Sequence, residues 1–208
     1  MNIGIIGSGK IGGTAAHLFV RGGHDVVISN SRGPASLASV VEDLGSKARA
    51  ATIDEASSFG DVVLVAVPFG KYQTLPGKPL EGKVVVDAMN YYEQRDGRIE
   101  FGDLTSTELV ARHLPRARLI KAFNTMYYET LASQGRLDVP VEDRLALFVA
   151  GDDAKAKGVV SHLIEEIGFA PIDTGSLHDG GRRQQPGSSI YNHPMTAREA
   201  RTVLGGRR

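Results

Sequence analysis

The feature that most limits what this chain can fold into lies at its amino terminus. The stretch "NIGIIGSGKIGGTAAHLF" runs from Asn2 to Phe19. A short apolar run, Ile3–Ile6, meets Gly7, Ser8, Gly9, Lys10, Ile11 and Gly12. Then Ile11, Ala15, Leu18 and Phe19 recur at i, i+4, i+7 and i+8. That pattern predicts a strand, a glycine turn and a helix with one apolar face. The G-x-G-x-x-G spacing is a weak signal in a glycine-rich chain, and its position between strand and helix gives it meaning. Gly7 permits the tight turn, Gly9 lets a ligand approach the backbone closely, and Gly12 lets the helix lie against the strand. Free N–H groups and the positive end of the helix dipole would then hold a diphosphate. A purely structural strand-to-helix turn is the bland alternative, which this context disfavours.

The second turn narrows the ligand. "DVVISNSRGPAS", Asp25 to Ser36, reads as a strand running into a polar turn. In dinucleotide-binding folds a carboxylate near this point bonds the ribose 2′-hydroxyl of NAD and repels a 2′-phosphate. Here Asn30, Ser31 and Arg32 stand instead, offering donors and a fixed positive charge suited to phosphate. Glu42 and Asp43 come too late, on the following helix. The expected cofactor is therefore NADP(H). Arg32 as a plain turn residue is the competing reading.

Further apolar runs follow at Val26–Ile28, Val62–Val67, Val84–Val86, Arg118–Ala122 and Leu145–Ala150, with a weaker one from Phe169. "ARAAT" near Ala48 is a marginal addition. Runs apolar on both faces, alternating with helical patterns, predict a parallel sheet covered on both sides. Helices are expected after Gly33-Pro34, over Ser106–Leu114, and after Asp152 or Asp153 as a cap, ending at Gly168. The fold class is then α/β: a Rossmann-type, doubly wound, mainly parallel sheet with helices on both faces and a short C-terminal arm. Residues 1–173 form the NADP-binding Rossmann-like domain. Residues 174–208 change to glycine-rich, polar sequence, read as a loop and a short helix from about Thr196 that serves the acceptor site or a dimer contact.

Several functions are disfavoured by composition. The 24 basic and 24 acidic residues cancel, so nothing draws the whole chain to nucleic acid. There are no cysteines, which removes disulfides, thiolate metal sites and a cysteine nucleophile. The run "VVLVAVPF" is too short to cross a bilayer, and Met1 leads straight into the first strand without room for a signal peptide. The expectation is a cytoplasmic protein with no membrane partner. No metal spacing occurs. Of the histidines, only His178 and His193, in the polar arm, are plausible visitors to a site.

Two later strand ends would complete a cleft, because ligands of open α/β sheets bind outside the carboxyl ends of the strands. After Val65 come Ala66, Val67 and Pro68, whose proline would bend the chain over the cofactor. In "VVDAMNYY", Asn90 could bond a carboxamide or ribose. No triad, metal cluster or paired carboxylates stand out. Hydride transfer between facing rings needs alignment more than side-chain acid or base work, which suits such a sequence.

The ordered set "IGIIGSGKIG", "SNSRGP", "AVPFG", "KAFNTM" and "GDDAKAK…IGFAPIDTGSL" resembles the F420-dependent NADP oxidoreductase family over residues 1 to about 177. It is also similar to the cytosolic NADPH domain of the six-transmembrane metalloreductases. The resemblance implies a Rossmann domain with NADPH across the strand ends and the nicotinamide facing a deazaflavin or flavin. It implies that Ser8, Lys10 and Ile11 line the diphosphate and that Ser31 and Arg32 take the 2′-phosphate. Ala122, Asn124 and Thr125 would sit near the nicotinamide and its partner ring. The archaeal enzymes carry histidine where this chain has Asn124, and they add a C-terminal helical segment.

The leading expectation is an NADPH-dependent oxidoreductase passing hydride to a small-molecule redox acceptor such as F420, FMN or FAD. Arg182, Arg183 or Gln185 could meet an acidic tail of that acceptor. A homodimer is the default, since the short arm leaves the acceptor side open and dimers are the commonest oligomers. A non-catalytic NADP(H) sensor is the alternative from another class. A small ketone or imine reductase suffers from the short C-terminal region and the lack of an evident proton donor.

Overall fold

Each apolar run becomes a strand, and all of them join one sheet. The computed structural model describes residues 1–205. Its strands are β1 (Asn2–Ile6), β2 (Asp25–Ser29), β3 (Ala48–Ala50), β4 (Val62–Val65), β5 (Val84–Asp87), β6 (Arg118–Lys121), β7 (Ala146–Ala150) and β8 (Ala170–Gly175). Their order is β3-β2-β1-β4-β5-β6-β7-β8. Neighbours are parallel except β6 and β7, which meet antiparallel through Lys121 and Ala150. The marginal "ARA" segment is a strand because it sits at the sheet edge beside β2, where partial burial suffices.

The continuous apolar runs are explained by burial on both faces. Ile3, Ile5, Val62 and Leu64 enter one core, while Ile6, Val63 and Val65 enter the other. Helix α1 (Lys10–Arg21) buries Ala15, Ala16, Leu18 and Phe19 in the first of these. After Gly33 the sequence predicts a helix opened by Pro34. The chain instead makes a 3-10 turn over Pro34–Leu37 before α2 (Ala38–Leu44). Helix α3 (Ile53–Phe59) carries no strong periodicity and is set by a reciprocal cap between Thr52 and Glu55. Then come α4 (Glu93–Asp96), α5 (Ser106–His113), α6 (Tyr128–Ser133) and α7 (Ala154–Glu166). Asp153 is the cap of α7, accepting from the N–H groups of Lys155 and Ala156. The Arg118 guanidinium, 2.6 Å away, together with those N–H groups, holds its carboxyl well below the usual carboxylate range.

The C-terminal arm is more structured than its composition suggests. It holds α8 (Asp179–Arg183) as well as α9 (Ala197–Gly205). Ile190, Ala197 and Ala200 pack with Phe148 and Ile172 in a separate core. The arm is also bonded to the sheet region: Asn192 N–H donates to the Thr125 carbonyl at 2.8 Å, and Ala146 N–H to that of Met195 at 2.9 Å. Ala197 N–H donates to the Arg144 carbonyl at 3.0 Å. Among the described residues no helix is long and apolar enough to cross a membrane.

Candidate functional site

The strand order fixes where a crevice must open. After β1 the chain enters α1 on one face of the sheet, and after β4 it enters a turn at Phe69–Thr74 on the other. Since β1 and β4 are neighbours, their departing loops separate and leave a gap above the strand ends.

The glycine turn forms one wall. Gly7 has φ 110°, and a Cβ there would lie 2.3 Å from the Ala66 carbonyl oxygen. A Cβ on Gly12 would lie 1.9 Å from the oxygen of Gly7. Both positions are closed by the chain's own backbone. Gly9 is different: a Cβ there would meet no atom within 4 Å. Gly9 caps α1 with extended backbone and no side-chain bond, so the first-turn N–H groups of the helix are left to face the opening. This is the arrangement that can receive an anion.

Asn30 joins this wall to the second turn. Its amide nitrogen donates to Ser8 Oγ at 3.2 Å and Ser36 Oγ at 3.0 Å, and its oxygen accepts from Arg32 N–H at 2.9 Å. Asn30 thus braces the two turns with bonds that sequence reasoning reserved for a ligand. Ser31 and Arg32 are exposed beyond it.

Further along the crevice is a cleft of about 340 Å³. It brings together Gly9, Lys10 and Ile11, the Ala66–Pro68 turn, Met89, Asn90 and Asn124. Ala122 and Thr125 are buried and do not line it. Asn90 is fully engaged: its nitrogen donates to the Asn124 carbonyl at 2.8 Å and to Tyr191 Oη at 3.3 Å, while its oxygen accepts from Asn124 Nδ2 at 3.1 Å. Asn124 Nδ2 also donates to the Gln184 carbonyl at 2.8 Å. These two asparagines lock the ends of β5 and β6 to the arm.

Sequence reasoning missed the aromatic half of the cleft. Met126, Tyr127 and Tyr128 follow the end of β6, Tyr92 and Arg95 follow β5, and Tyr191 with Asn192 comes from the arm. Lys10 Nζ donates to Tyr128 Oη at 3.2 Å and lies 4.3 Å from that ring's centroid. The hydroxyls of Tyr92 and Tyr191 are hydrogen-bonded to each other. Burial, reinforced by the Tyr92 hydroxyl, pushes the Tyr191 phenol well above its usual range. The adjacent "YY" after each strand end was the available signal for the first group. Nothing local distinguishes Tyr191.

The other polar residues of the arm lie elsewhere. Arg182, Arg183 and Gln185 do not line this cleft, and the Arg182 guanidinium donates to the Asp103 carbonyl at 2.7 Å. His178 pairs with Glu108 at 3.1 Å, and His193 Nδ1 is 2.9 Å from the Tyr191 carbonyl. Among the described residues no group of three or more histidines and carboxylates could hold a metal ion.

Beneath the cleft is a buried ion pair. Lys121 Nζ lies 3.2 Å from Asp87 Oδ2 and also donates to the Met89 carbonyl. Asp87 further accepts from Thr107 Oγ1 at 2.7 Å and Met89 N–H at 2.9 Å. Burial pulls the Lys121 ammonium below its usual range, opposed by the Asp87 carboxylate.

A Rossmann-type sheet with a glycine turn at its switch point defines the class of dinucleotide-binding α/β proteins. Residues 2–91 match the model of the family described as NADP oxidoreductase, coenzyme F420-dependent. The metalloreductase STEAP3 of Rattus norvegicus is 31% identical over 177 residues, covering 84% of this chain and 34% of that protein. The chain thus spans about a third of the length of that curated relative. The hypothetical protein SMa0349 of Sinorhizobium meliloti is 34% identical, with a TM-score of 0.83 over 94% of this chain and 95% of that one. A protein of Arthrobacter sp. FB24, provisionally assigned as an F420-dependent NADP-reductase, has the same fold at 23% identity, with a TM-score of 0.71 over 99% of this chain and 91% of that one. The chain belongs to the family described as NADP oxidoreductase, coenzyme F420-dependent.

Proposed function

We propose that this protein binds NADPH along the crevice and passes hydride from it to a flat redox-active ring, of the flavin or deazaflavin type, seated in the aromatic half of the cleft. The observation that carries this reading is the cleft itself. It runs from the uncapped N-terminus of α1, past the β4 and β5 ends, to Tyr92, Tyr127 and Tyr191. Bound NADPH supplies the hydride. The protein's residues bind, orient and exclude water.

In this reading the first-turn N–H groups beside Gly9, with Ser8, Lys10 and Ile11, hold the diphosphate. Ser31 and Arg32 take the 2′-phosphate, with Asn30 keeping their turn in place. Ala66, Val67 and Pro68 support the nicotinamide half, and Asn90 and Asn124 fix the loops around it. Residues 1–173 act as the NADP domain, and 174–208 complete the acceptor side. The reading includes a cytoplasmic homodimer, which sedimentation of the purified protein tests. F420, FMN and FAD are the acceptors to examine first. The test follows NADPH absorbance with these rings, quinones, ferric chelates, and simple ketones and imines. Turnover of a ring acceptor supports the proposal. Tight NADPH binding without any turnover would instead favour a sensor. Turnover of ketones or imines alone would favour the small reductase, a reading that regains weight because Tyr191 brings a phenol into the cleft.

Two variants test the cofactor contacts. Arg32→Ala should weaken NADP(H) by about 1.5–3 kcal/mol, the range for a charge-assisted hydrogen bond, and leave NAD(H) nearly unchanged. Equal losses, read by fluorescence titration, would move the 2′-phosphate elsewhere. Gly9→Ala should leave the unfolding midpoint almost where it was, because the added methyl meets only open space. NADP(H) affinity should nevertheless fall at least about tenfold, since that space is where the diphosphate would approach the backbone.

A further inference from the structure

Adding hydride to a flat heteroaromatic ring or a carbonyl leaves negative charge on a nitrogen or oxygen, and a positioned acid lowers the barrier. We propose that Tyr191 is that acid, with Tyr92 relaying a replacement proton from solvent. The proposal rests on reading the cleft as the place where NADPH meets its acceptor.

The hydrogen-bond inventory leaves the Tyr191 proton free to point outward when Tyr92 is the donor between the two phenols. A phenol has one hydrogen to donate and can accept through its oxygen. Asn90 presents its nitrogen to Tyr191 Oη, at 3.3 Å, and cannot turn around. The same nitrogen donates to the Asn124 backbone carbonyl, which can only accept. Asn124 is oriented likewise by the Gln184 carbonyl, so its Nδ2 faces Asn90 Oδ1. Only one hydrogen can lie between the two phenol oxygens. When Tyr92 supplies it, Tyr191 accepts from both Tyr92 and Asn90, and its own hydrogen is directed to the cleft it lines.

The surroundings suit an acid that is reloaded from water. Tyr92 is 37% exposed, so the second phenol reaches solvent while the first does not need to. The Arg95 guanidinium lies 5.1 Å from the Tyr92 ring centroid and is itself paired with Asp96 at 2.8 Å. His193 faces the Tyr191 backbone carbonyl, and Lys10, Tyr127 and Tyr128 line the same cleft. Burial keeps Tyr191 protonated through the neutral range, as an acid requires.

The step balances. NADPH gives the acceptor two electrons and one hydrogen, as one C–H bond breaks and a bond to the acceptor forms. Tyr191 gives the second hydrogen to the acceptor's nitrogen or oxygen, its O–H bond breaking as the new bond forms. The Tyr191 oxygen then takes the Tyr92 proton, and Tyr92 regains one from water. The acceptor leaves with two hydrogens and the protein is unchanged.

The test uses the full chain with Tyr191→Phe, Tyr92→Phe and 3-fluorotyrosine placed at position 191. Tyr191→Phe should keep the NADPH dissociation constant and lower the rate with the ring acceptor by about 100-fold or more, the usual contribution of a general acid. Tyr92→Phe should give a smaller loss. Fluorine lowers the phenol pKa, and the alkaline limb of the rate profile should move down with it. In the protein without cofactor, the fluorine NMR titration at position 191 should shift when Tyr92→Phe is added. A Tyr191→Phe rate within about threefold of the unsubstituted protein, or a limb that stays put, would overturn the proposal while leaving hydride transfer intact. NADPH binding with no acceptor turned over by the unsubstituted protein would sink the hydride reading, and the proton donor with it.

Discussion

Lys121→Met should destabilise the protein by about 3–5 kcal/mol, the range for removing one partner of a buried ion pair. Lys121 is 1% exposed, and Asp87 is fully buried. Methionine fills most of the lysine's volume, so little of the loss arises from a cavity. The cost comes from Asp87, left as a buried carboxylate with only the Thr107 hydroxyl and Met89 N–H against it. It also comes from the Met89 carbonyl, which loses its donor. Adding Asp87→Asn removes the orphaned charge and should restore more than half of the stability. Urea unfolding midpoints of the single and double variants give the comparison. A double variant no more stable than the single would mean that the pair is not coupled through charge. The effect also reaches the cleft, because Met89 and Asn90 line it and are held from below by this pair.

Gly12→Ala should be nearly as damaging, for a steric reason. The new methyl carbon would start 1.9 Å from the Gly7 oxygen, and that oxygen belongs to backbone, which cannot rotate away. Either α1 lifts from β1 or the turn opens. Overpacking of this kind costs typically about 1–3 kcal/mol, and a clash with fixed backbone belongs at the top of that range. NADP(H) binding should be lost with it, since the turn and the helix N-terminus move together. Gly9→Ala, a few residues away in the same motif, separates the two effects: binding falls while folding is spared. Similar unfolding midpoints for both variants would contradict this division.

The contrast between these glycines shows how much the sequence contains. The spacing gave each glycine a separate role, and the distances add that Gly7 and Gly12 are closed by backbone while the space beside Gly9 is open. Strands were legible because burial on both faces leaves uninterrupted apolar runs, as in Val62–Val65. The cap of α7 was legible to within one residue, Asp152 or Asp153, because capping is local, and the structure gives Asp153. Pro34 misled because a proline suits the first turn of a 3-10 helix as well as that of an α-helix. The aromatic side of the cleft was hidden by distance along the chain. Asn90 and Tyr191 are 101 residues apart, and Asn124 and the Gln184 carbonyl are separated by 60. No window on the sequence carries such a pairing. Asn30, similarly, was recognised as a polar residue at the right place and turned out to brace the turn, since a donor reads alike whether it bonds ligand or neighbour.

The bonds that tie the arm to the sheet region have a kinetic meaning. An arm fastened through Asn192, Met195 and Ala197 is a fixed rim, not a hinged cover. On the proposed function, a flat acceptor would come and go without waiting for a segment to unfasten, and turnover would not be gated by motion of this arm. The amide hydrogens of Ala146, Asn192 and Ala197 should therefore exchange with solvent as slowly as those of the central strands, and filling the cleft should slow both sets together.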